Sequence, residues 1–319
     1  MIARANGLSD VPSGPDRAGS PATTLRLRDS ARLRRYQRYQ DFYEGRHFER
    51  ARPGRTSLVL NYARAIVDKG VAYLLGRGVG YSVLPWREEA AEGRRRAEAA
   101  ERLLYDVYWD NDVEAVDLRV AQNAAVLGDG VYKVFWDALE GRIRVLSVDP
   151  ATVFVSWAGD DPTEPRRVEV AYRLSAAEAE ELFATPHPTP SDGHSRTSAV
   201  PTSLGSTHAP LAPSPPRGDE GLVEVVERWT TDEFQVLVGE RVARSGPNPY
   251  GAIPFVHVPN LPLANETWGV SDLVDVIPIN REIDERVSDQ ADIIRFHADP
   301  PVIFKGVNDH TDLAEWPTP

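Results

Sequence analysis

The sequence predicts an α+β fold in which helices pack on antiparallel strands, and two observations lead to this prediction. Apolar residues recur with helical spacing in segments between residues 24 and 127 and again from 271 to 297, whereas between 131 and 258 most of them alternate with a period of two. A turn at Glu140-Gly141 separates two of the alternating segments, which favours an antiparallel hairpin. The length of 319 residues is sufficient for one large or two modest domains.

Turn and capping residues support the individual elements. Gly45 and Gly76 follow two helical segments at the position where a helix ends, and Asn61 is a suitable N-cap. Ser175 and Glu178 have the spacing of a capping box at the start of a short helix. Helices are predicted at 24–44, 61–75, 95–109, 113–127, 176–184 and 271–297, and strands at 79–83, 131–136, 143–148, 153–157, 168–174, 223–229, 234–238 and 255–258. For the second helix we expect a buried face of Ala65, Ile66, Tyr73 and Leu74.

Two segments lack any periodic pattern. Residues 1–23 are predicted to be a disordered N-terminus, because the first 20 are rich in Gly, Pro, Ser and Ala. Residues 185–217 contain eight prolines, and strand patterns resume after them. We therefore interpret this stretch as an exposed insertion within a domain.

Composition and charge exclude several classes of protein. The absence of cysteine excludes a disulfide framework, cysteine zinc sites and a cysteine nucleophile. No apolar run approaches the length of a membrane span. The net charge of −12 is uneven, because residues 1–64 contain 13 arginines and 6 acids whereas the remaining residues have a net charge of −19. Such an acidic body argues against an ordinary DNA-binding protein.

Catalytic motifs are absent as well. There is no Walker-type phosphate loop, and Gly76, Gly78 and Gly80 stand between a helix and a strand in the order opposite to that of a dinucleotide-binding motif. The histidines are scattered, and we interpret His257, inside a strand pattern, as a packing or surface residue. The sequence therefore predicts no catalytic residue, metal site or cofactor.

The last helical segment carries two contrasting faces. An apolar side faces away from a row of four carboxylates spaced three, four and three residues apart. The row admits three interpretations: a solvated face, an acidic surface to which a passing polyanion does not adhere, or a metal site. The apolar residues are Ile279, Ile283, Val287 and Ile294, and the carboxylates are those of Glu282, Glu285, Asp289 and Asp292.

The arginines near the N-terminus admit two interpretations. They form either a solvated basic helix face or an electrostatic contact with DNA or with the acidic body of a neighbouring subunit. These residues are Arg26, Arg28, Arg32, Arg34, Arg35 and Arg38.

Several motifs, taken together and in this order, resemble the portal proteins of long-tailed double-stranded-DNA bacteriophages. The first group is residues 39–45 (YQDFYEG), 61–68 (NYARAIVD) and 73–76 (YLLG). The second is 128–132 (GDGVY), which leads through a hairpin to 148–150 (VDP). The third and most specific is 248–255 (NPYGAIPF), followed by 269–273 (GVSDL) and 288–293 (SDQADI).

The resemblance implies a portal-type organisation. Residues 24–270 would be a wing domain of helices on antiparallel strands, 271–298 a long stem helix and 299–319 the start of a clip. Since portal chains normally continue further, we expect this sequence to be a truncated product or a fragment of one. The carboxylates of Glu282, Glu285, Asp289 and Asp292 would then line a channel, and the apolar residues Ile279, Ile283, Val287 and Ile294 would pack between helices.

The resemblance also implies a function and partners. The chain would form a homo-oligomeric ring, expected to be a dodecamer, at one vertex of the capsid in the virion, after assembly in the host cytoplasm. Its partners would be the terminase motor, a head-completion adaptor, scaffolding protein and major capsid protein, with double-stranded DNA passing without sequence-specific binding and no membrane involved. A portal is not an enzyme. The alternatives are a metal-dependent nuclease that uses the acidic helix and another minor structural protein of the phage head.

Overall fold

The computed structural model describes residues 21–48, 54–85, 91–137, 140–158, 161–183, 222–263 and 266–298. The helices are α1 (Pro21–Arg28), α2 (Ser30–Tyr43), α3 (Tyr62–Leu75), α4 (Ala91–Asp110), α5 (Val113–Leu127), α6 (Ala176–Phe183) and α7 (Leu273–Ala298). The strands are β1 (Asp129–Asp137), β2 (Arg142–Val148), β3 (Val153–Ala158), β4 (Asp161–Ser175), β5 (Leu222–Trp229), β6 (Glu233–Val238), β7 (Arg241–Pro247) and β8 (Phe255–Pro259). Every strand pairing is antiparallel, which confirms the predicted α+β class.

The chain divides into two compact units. The first consists of the described residues up to Leu33 and from Thr152 to Ile253. Its five strands lie in the order β3-β4-β5-β6-β7. Helix α1 packs on this sheet through Ala22 and Leu25, and the Arg32 guanidinium donates to the Val153 carbonyl oxygen at 2.7 Å. The predicted capping box of α6 is confirmed, because the Ser175 hydroxyl donates to the Glu178 carboxylate at 2.7 Å and accepts from the Glu178 amide.

The second unit consists of the described residues Arg34–Ala151 and those from Pro254 onward. Its sheet has the order β2-β1-β8. The hairpin predicted at Gly141 is confirmed by seven residue pairs between β1 and β2. Side chains of α2, α3, α5 and α7 form the core of this unit, with Phe42, Val67, Leu127, Leu273 and Ile277 almost completely buried.

Several expectations from the sequence need correction. Residues 21–23 belong to α1 and not to a disordered terminus, because Pro21 is suited to the first helical turn and Ala22 is buried. Residues 79–83 form no strand, whereas β7 forms without having been predicted. Helix α3 buries Ala63, Val67 and Val71, so the predicted buried face is wrong: Ile66, Tyr73 and Leu74 are 51%, 75% and 72% exposed.

The other predicted segments lie wholly or largely outside the described residues. These are most of the N-terminal segment (1–20), the Pro-rich segment 185–217 and the clip segment 299–319. The predicted wing segment 24–270 contributes residues to both units. Its designation as a wing, like that of a stem and a clip, stays a prediction.

Candidate functional site

The base of α7 is fixed by hydrogen bonds to the end of α5. The Ser271 hydroxyl donates to the Val126 carbonyl oxygen at 2.5 Å and accepts from the Leu273 amide at 3.0 Å. It therefore caps α7 and links the helix to the last turn of α5 at the same time. The Asp272 amide adds a bond to the Ala125 carbonyl oxygen at 2.9 Å.

Asp129, at the start of β1, is a fully buried acceptor beside this base. Its carboxylate accepts hydrogen bonds from the Tyr36 hydroxyl, from the Gly269 amide at 2.8 Å and from the His257 ring at 2.7 Å. The sequence analysis interpreted His257 as a packing or surface residue. Its side chain is instead 17% exposed and hydrogen-bonded to a buried carboxylate. Three separate elements, α2, β8 and the turn before α7, converge on this one carboxylate.

Two glycines allow the turn before α7 to approach β1. Gly128 has a φ of +103°, and a Cβ there would lie 2.6 Å from the Gly269 carbonyl oxygen. A Cβ on Gly269 would in turn meet the Gly128 carbonyl oxygen and lie 2.7 Å from the Asn260 amide. The motifs 128–132 and 269–273, which are remote in sequence, thus meet backbone to backbone.

The face of α7 that is buried in the chain is polar beyond its first turn. Asn280, Asp284 and Ser288 are each at most 2% exposed and follow one another at intervals of four residues. They lie against the residues that precede α3, from Thr56 to Leu60, which we call the 56–60 segment. Three amides of this segment, those of Thr56, Leu58 and Leu60, donate to the side chains of Asp292, Ser288 and Asp284 at 3.0, 2.9 and 2.8 Å, respectively.

This arrangement is a ladder in which α7 replaces the neighbouring strand of a sheet. Four residues of helix rise about 6 Å, and two residues of extended chain rise about 6.6 Å. Side chains spaced four apart can therefore receive every second amide of an extended segment that runs antiparallel to the helix. Asn280 continues the ladder, accepting from the Ala63 amide and donating to the Leu60 carbonyl oxygen, both at 3.0 Å.

His47 closes the ladder from the end of α2. Its side chain is fully buried, with Nδ1 2.5 Å from the Asp284 carboxylate and Nε2 2.9 Å from the Phe42 carbonyl oxygen. Because a carbonyl oxygen only accepts, Nε2 carries a proton and donates it. The Phe42 ring stacks on the imidazole at 3.8 Å between centroids. Asp284 thus has three partners: His47, Asn280 and the Leu60 amide.

The carboxylates predicted as one row divide into two groups. Glu282, Glu285 and Asp289 are exposed, and at 100° per residue Glu282 and Asp289 lie on the side of α7 that faces away from Asp284. Asp292 instead accepts from the Thr56 hydroxyl at 2.5 Å and from the Thr56 amide. The bond from the Thr56 hydroxyl lowers the pKa of the Asp292 carboxyl below its ordinary value.

The apolar residues predicted on α7 lie on its flank, beside the ladder. Ile279 and Ile294 are 64% and 61% exposed, and Ile283 and Val287 are partly buried. Sequence reasoning thus selected the apolar stripe of α7 and missed the polar one, which is the side that is buried. The available signal was the spacing of Asn280, Asp284 and Ser288, although it does not identify the segment that they bind.

The described residues contain no group of three or more His, Asp or Glu side chains placed to hold a metal ion. In the same residues, no helix is both long enough and apolar enough to cross a membrane.

Residues 25–177 match the family model of the phage portal protein, SPP1 Gp6-like. The resemblance to phage portal proteins is confirmed. The matched stretch begins within α1 and ends in α6, so it includes the 56–60 segment and Asp129, whereas α7 lies beyond it. The portal family is structural rather than enzymatic, and its members occupy the capsid vertex of the virion. A search among curated proteins found no match to the chain.

Proposed function

We propose that the chain forms the portal ring through which phage DNA is packaged and ejected, with α7 as the stem helix in the channel wall. The observation that carries this proposal is the three-sided character of α7. One side is fastened to the same chain by the ladder, another carries exposed carboxylates, of which Glu282 is paired with Arg286, and the flank is apolar and exposed. A helix in the wall of a ring needs these three sides: an anchor, a face towards the lumen and a contact with the next subunit.

The lumenal role falls to Glu282, Glu285 and Asp289. Double-stranded DNA carries about one negative charge per 1.7 Å of its axis, so an arginine-rich or lysine-rich wall would hold it through many phosphate contacts. A surface of carboxylates makes no attractive contact with the phosphates and repels the polyanion, so DNA can slide past it. Asp292, the fourth predicted residue, serves the ladder instead.

The exposed apolar flank of α7 would form the contact with the neighbouring subunit. Ile279, Ile283, Val287 and Ile294 would pack against a helix of the next copy, which would remove their exposed area from water. The ring would be a dodecamer, and it would bind the terminase motor, the head-completion adaptor, scaffolding protein and the major capsid protein. The portal itself would hydrolyse no substrate, because packaging is driven by the terminase.

The test is a charge reversal on the lumenal side. The double substitution Glu285→Lys and Asp289→Lys should slow DNA packaging several-fold, because lysines would bind each passing phosphate, while ring assembly continues. The measurement is the rate of packaging into proheads reconstituted with the complete portal, together with electron microscopy of the rings. Asp292 is left unchanged, since replacing it would also disturb the bond to Thr56.

The matched control places the same charge change elsewhere. Glu98 and Asp106 are exposed on α4, and their double substitution to Lys should leave the packaging rate unchanged. An unaltered rate in the α7 variant, with normal rings, would contradict the lumenal role. DNA cleavage by the purified chain in Mg²⁺ or Mn²⁺ would instead favour the nuclease alternative.

A further inference from the structure

The arginines near the start of the described chain divide into two groups. Those of the first group have acidic partners in the same chain; Asp29, for example, accepts from the guanidiniums of Arg28 and Arg32 at 2.9 Å. The second group consists of three exposed arginines of α2, for which no hydrogen bond or ion pair is found among the described residues. We call them the α2 arginines: Arg34, Arg35 and Arg38.

The α2 arginines lie on the side of the helix that faces away from the core. At 100° per residue they fall within about 100° of one another and opposite Tyr36, which is 2% exposed and donates to Asp129. The helix rises about 6 Å from the first of them to the last. Three positive charges therefore stand close together on one exposed surface.

No acidic side chain of α2 is left to neutralise this surface. Asp41, the acid closest in sequence, accepts from the Gln37 side-chain amide at 2.8 Å and is paired with Arg46 at 2.6 Å. Two pairs of the α2 arginines have spacings of three and four residues, at which like charges destabilise a helix. Since the described residues do not offset this repulsion, the surface is suited to an anionic partner from outside the chain.

The surface carries charge without exposed apolar side chains. None of the large apolar residues of α2 is exposed. Contacts between proteins usually have an apolar core within a polar rim, whereas proteins contact DNA through surfaces that are more polar and much more positive. The composition of this surface therefore favours a phosphate polymer over an acidic protein.

We propose that the α2 arginines bind the phosphate backbone of double-stranded DNA without reading its sequence. Each strand of the duplex presents a phosphate about every 3.4 Å along its axis, so three guanidiniums spread over about 6 Å can reach separate phosphates. The acidic body of the chain does not prevent this contact, because charges more than about 10 Å apart are largely screened at about 0.1 M salt.

This site goes beyond the proposed channel. The carboxylates of α7 would let DNA pass, whereas the α2 arginines would hold it. A contact with three phosphates is weak on its own. In a ring it would be repeated in every subunit, so a duplex that touches several subunits would be held more firmly than by one.

The salt dependence of DNA binding tests the site. The variant Arg34→Gln, Arg35→Gln, Arg38→Gln removes three charges, and each phosphate contact contributes about −0.9 to the slope of log K against log salt concentration. The slope should become shallower by about 2–3 for each subunit that contacts the duplex, and the affinity at low salt should fall about tenfold or more. Fluorescence anisotropy with two labelled duplexes of different sequence measures both, and the two duplexes should respond equally.

The matched control removes the same charge from other exposed arginines. The variant Arg77→Gln, Arg95→Gln, Arg102→Gln alters the end of α3 and α4, and it should keep the affinity and the slope of the original chain. Glutamine is a good helix former, so the α2 variant should fold normally. Because like charges are removed, its midpoint of thermal unfolding should be unchanged or slightly higher. A clear fall would show that the α2 arginines stabilise the fold, and it would contradict the proposal.

Three further results would overturn the DNA site. The first is that the original chain does not bind duplex DNA at low salt, and the second is that the α2 variant and the control lose affinity equally. The third is that the α2 variant binds DNA normally but sediments as a smaller species than the original chain, which would assign the arginines to an acidic surface of a second copy. The proposed portal function would stand in the first two cases, since it is tested through α7 and the rate of packaging.

Discussion

Asp284 is the residue whose replacement tests the ladder most directly. It is 1% exposed, accepts hydrogen bonds from the Asn280 amide group and the Leu60 backbone amide, and lies 2.5 Å from Nδ1 of the His47 ring. Asp284→Ala removes the partner of all three groups at once. The donors then stay buried without a partner, since the segment that covers them prevents the entry of bulk water.

The expected loss of stability follows from these contacts. A buried donor without an acceptor costs about 1–3 kcal/mol. Because the three groups share one carboxylate, the losses are not additive, and we expect about 3–5 kcal/mol for Asp284→Ala, as for the loss of a buried hydrogen-bond network. Asp284→Asn keeps an acceptor oxygen for Leu60 and has nearly the same volume, so its loss should be about 1–2 kcal/mol.

Urea denaturation of the two variants and the original chain measures these losses. The chain has two units, so the fluorescence signal should be supported by hydrogen exchange of the Leu58 and Leu60 amides, which report on the second unit alone. Both amides should exchange much faster in Asp284→Ala. The control is Asp289→Ala, an exposed carboxylate one turn away on the same helix, which should change stability by less than about 0.5 kcal/mol.

If Asp284→Ala cost no more than Asp289→Ala, the buried bonds would contribute nothing to the attachment of α7. Equal losses for Asp284→Ala and Asp284→Asn would show that the charge, and not the number of satisfied donors, determines the effect.

Two further predictions concern the close backbone contact and the outer rung of the ladder. Gly269→Ala should prevent normal folding or destabilise the chain by several kcal/mol, because the new Cβ would overlap the Gly128 carbonyl group. The control is Gly70→Ala, whose Cβ would have no atom within 4 Å. It should stabilise α3 by up to about 1 kcal/mol, as measured by thermal unfolding. Thr56→Val should raise the pKa of the Asp292 carboxyl toward its ordinary value, and NMR titration measures this shift. Because the pKa is lowered in the folded chain, the bond from Thr56 stabilises the fold at pH values above the ordinary pKa of Asp. This stabilisation disappears as the pH falls through the lowered pKa. A pKa of Asp292 that does not respond to the loss of the Thr56 hydroxyl would refute this cause.

Local patterns predicted most elements of the fold. Alternation in the sequence predicted the segments that form β1, β2, β5, β6 and β8. Burial itself alternates along much of β1 and along β8, because one face of these strands lies towards the interior and the other towards solvent. β7 was missed because its residues Arg241–Pro247 include two arginines and a glycine and have no buried position. The N-cap at Asn61 and the capping box at Ser175 were predicted correctly, since both depend on residues three apart in sequence.

The helix faces were predicted less well. Apolar spacing identifies a buried stripe only if burial is driven by hydrophobic contact. From Asn280 onward, helix α7 is held to the rest of the chain by hydrogen bonds, so Asp284 is buried and Ile279 is exposed. On α3 the small residues Ala63, Val67 and Val71 face the core, and larger apolar residues such as Tyr73 stay exposed.

By itself, the sequence determined the fold class, the order of most helices and strands, the absence of the catalytic motifs sought and the resemblance to portal proteins. These depend on residue spacing within one element or on motifs read in order. The tertiary structure alone decided which face of α7 is buried, because Asp284 and its acceptor role become favourable only when the Leu60 amide, 224 residues away in the chain, is brought against it. It also decided that Asp292 binds Thr56 while Asp289 stays free of the ladder, for a buried polar group is stable only beside the partner that satisfies it.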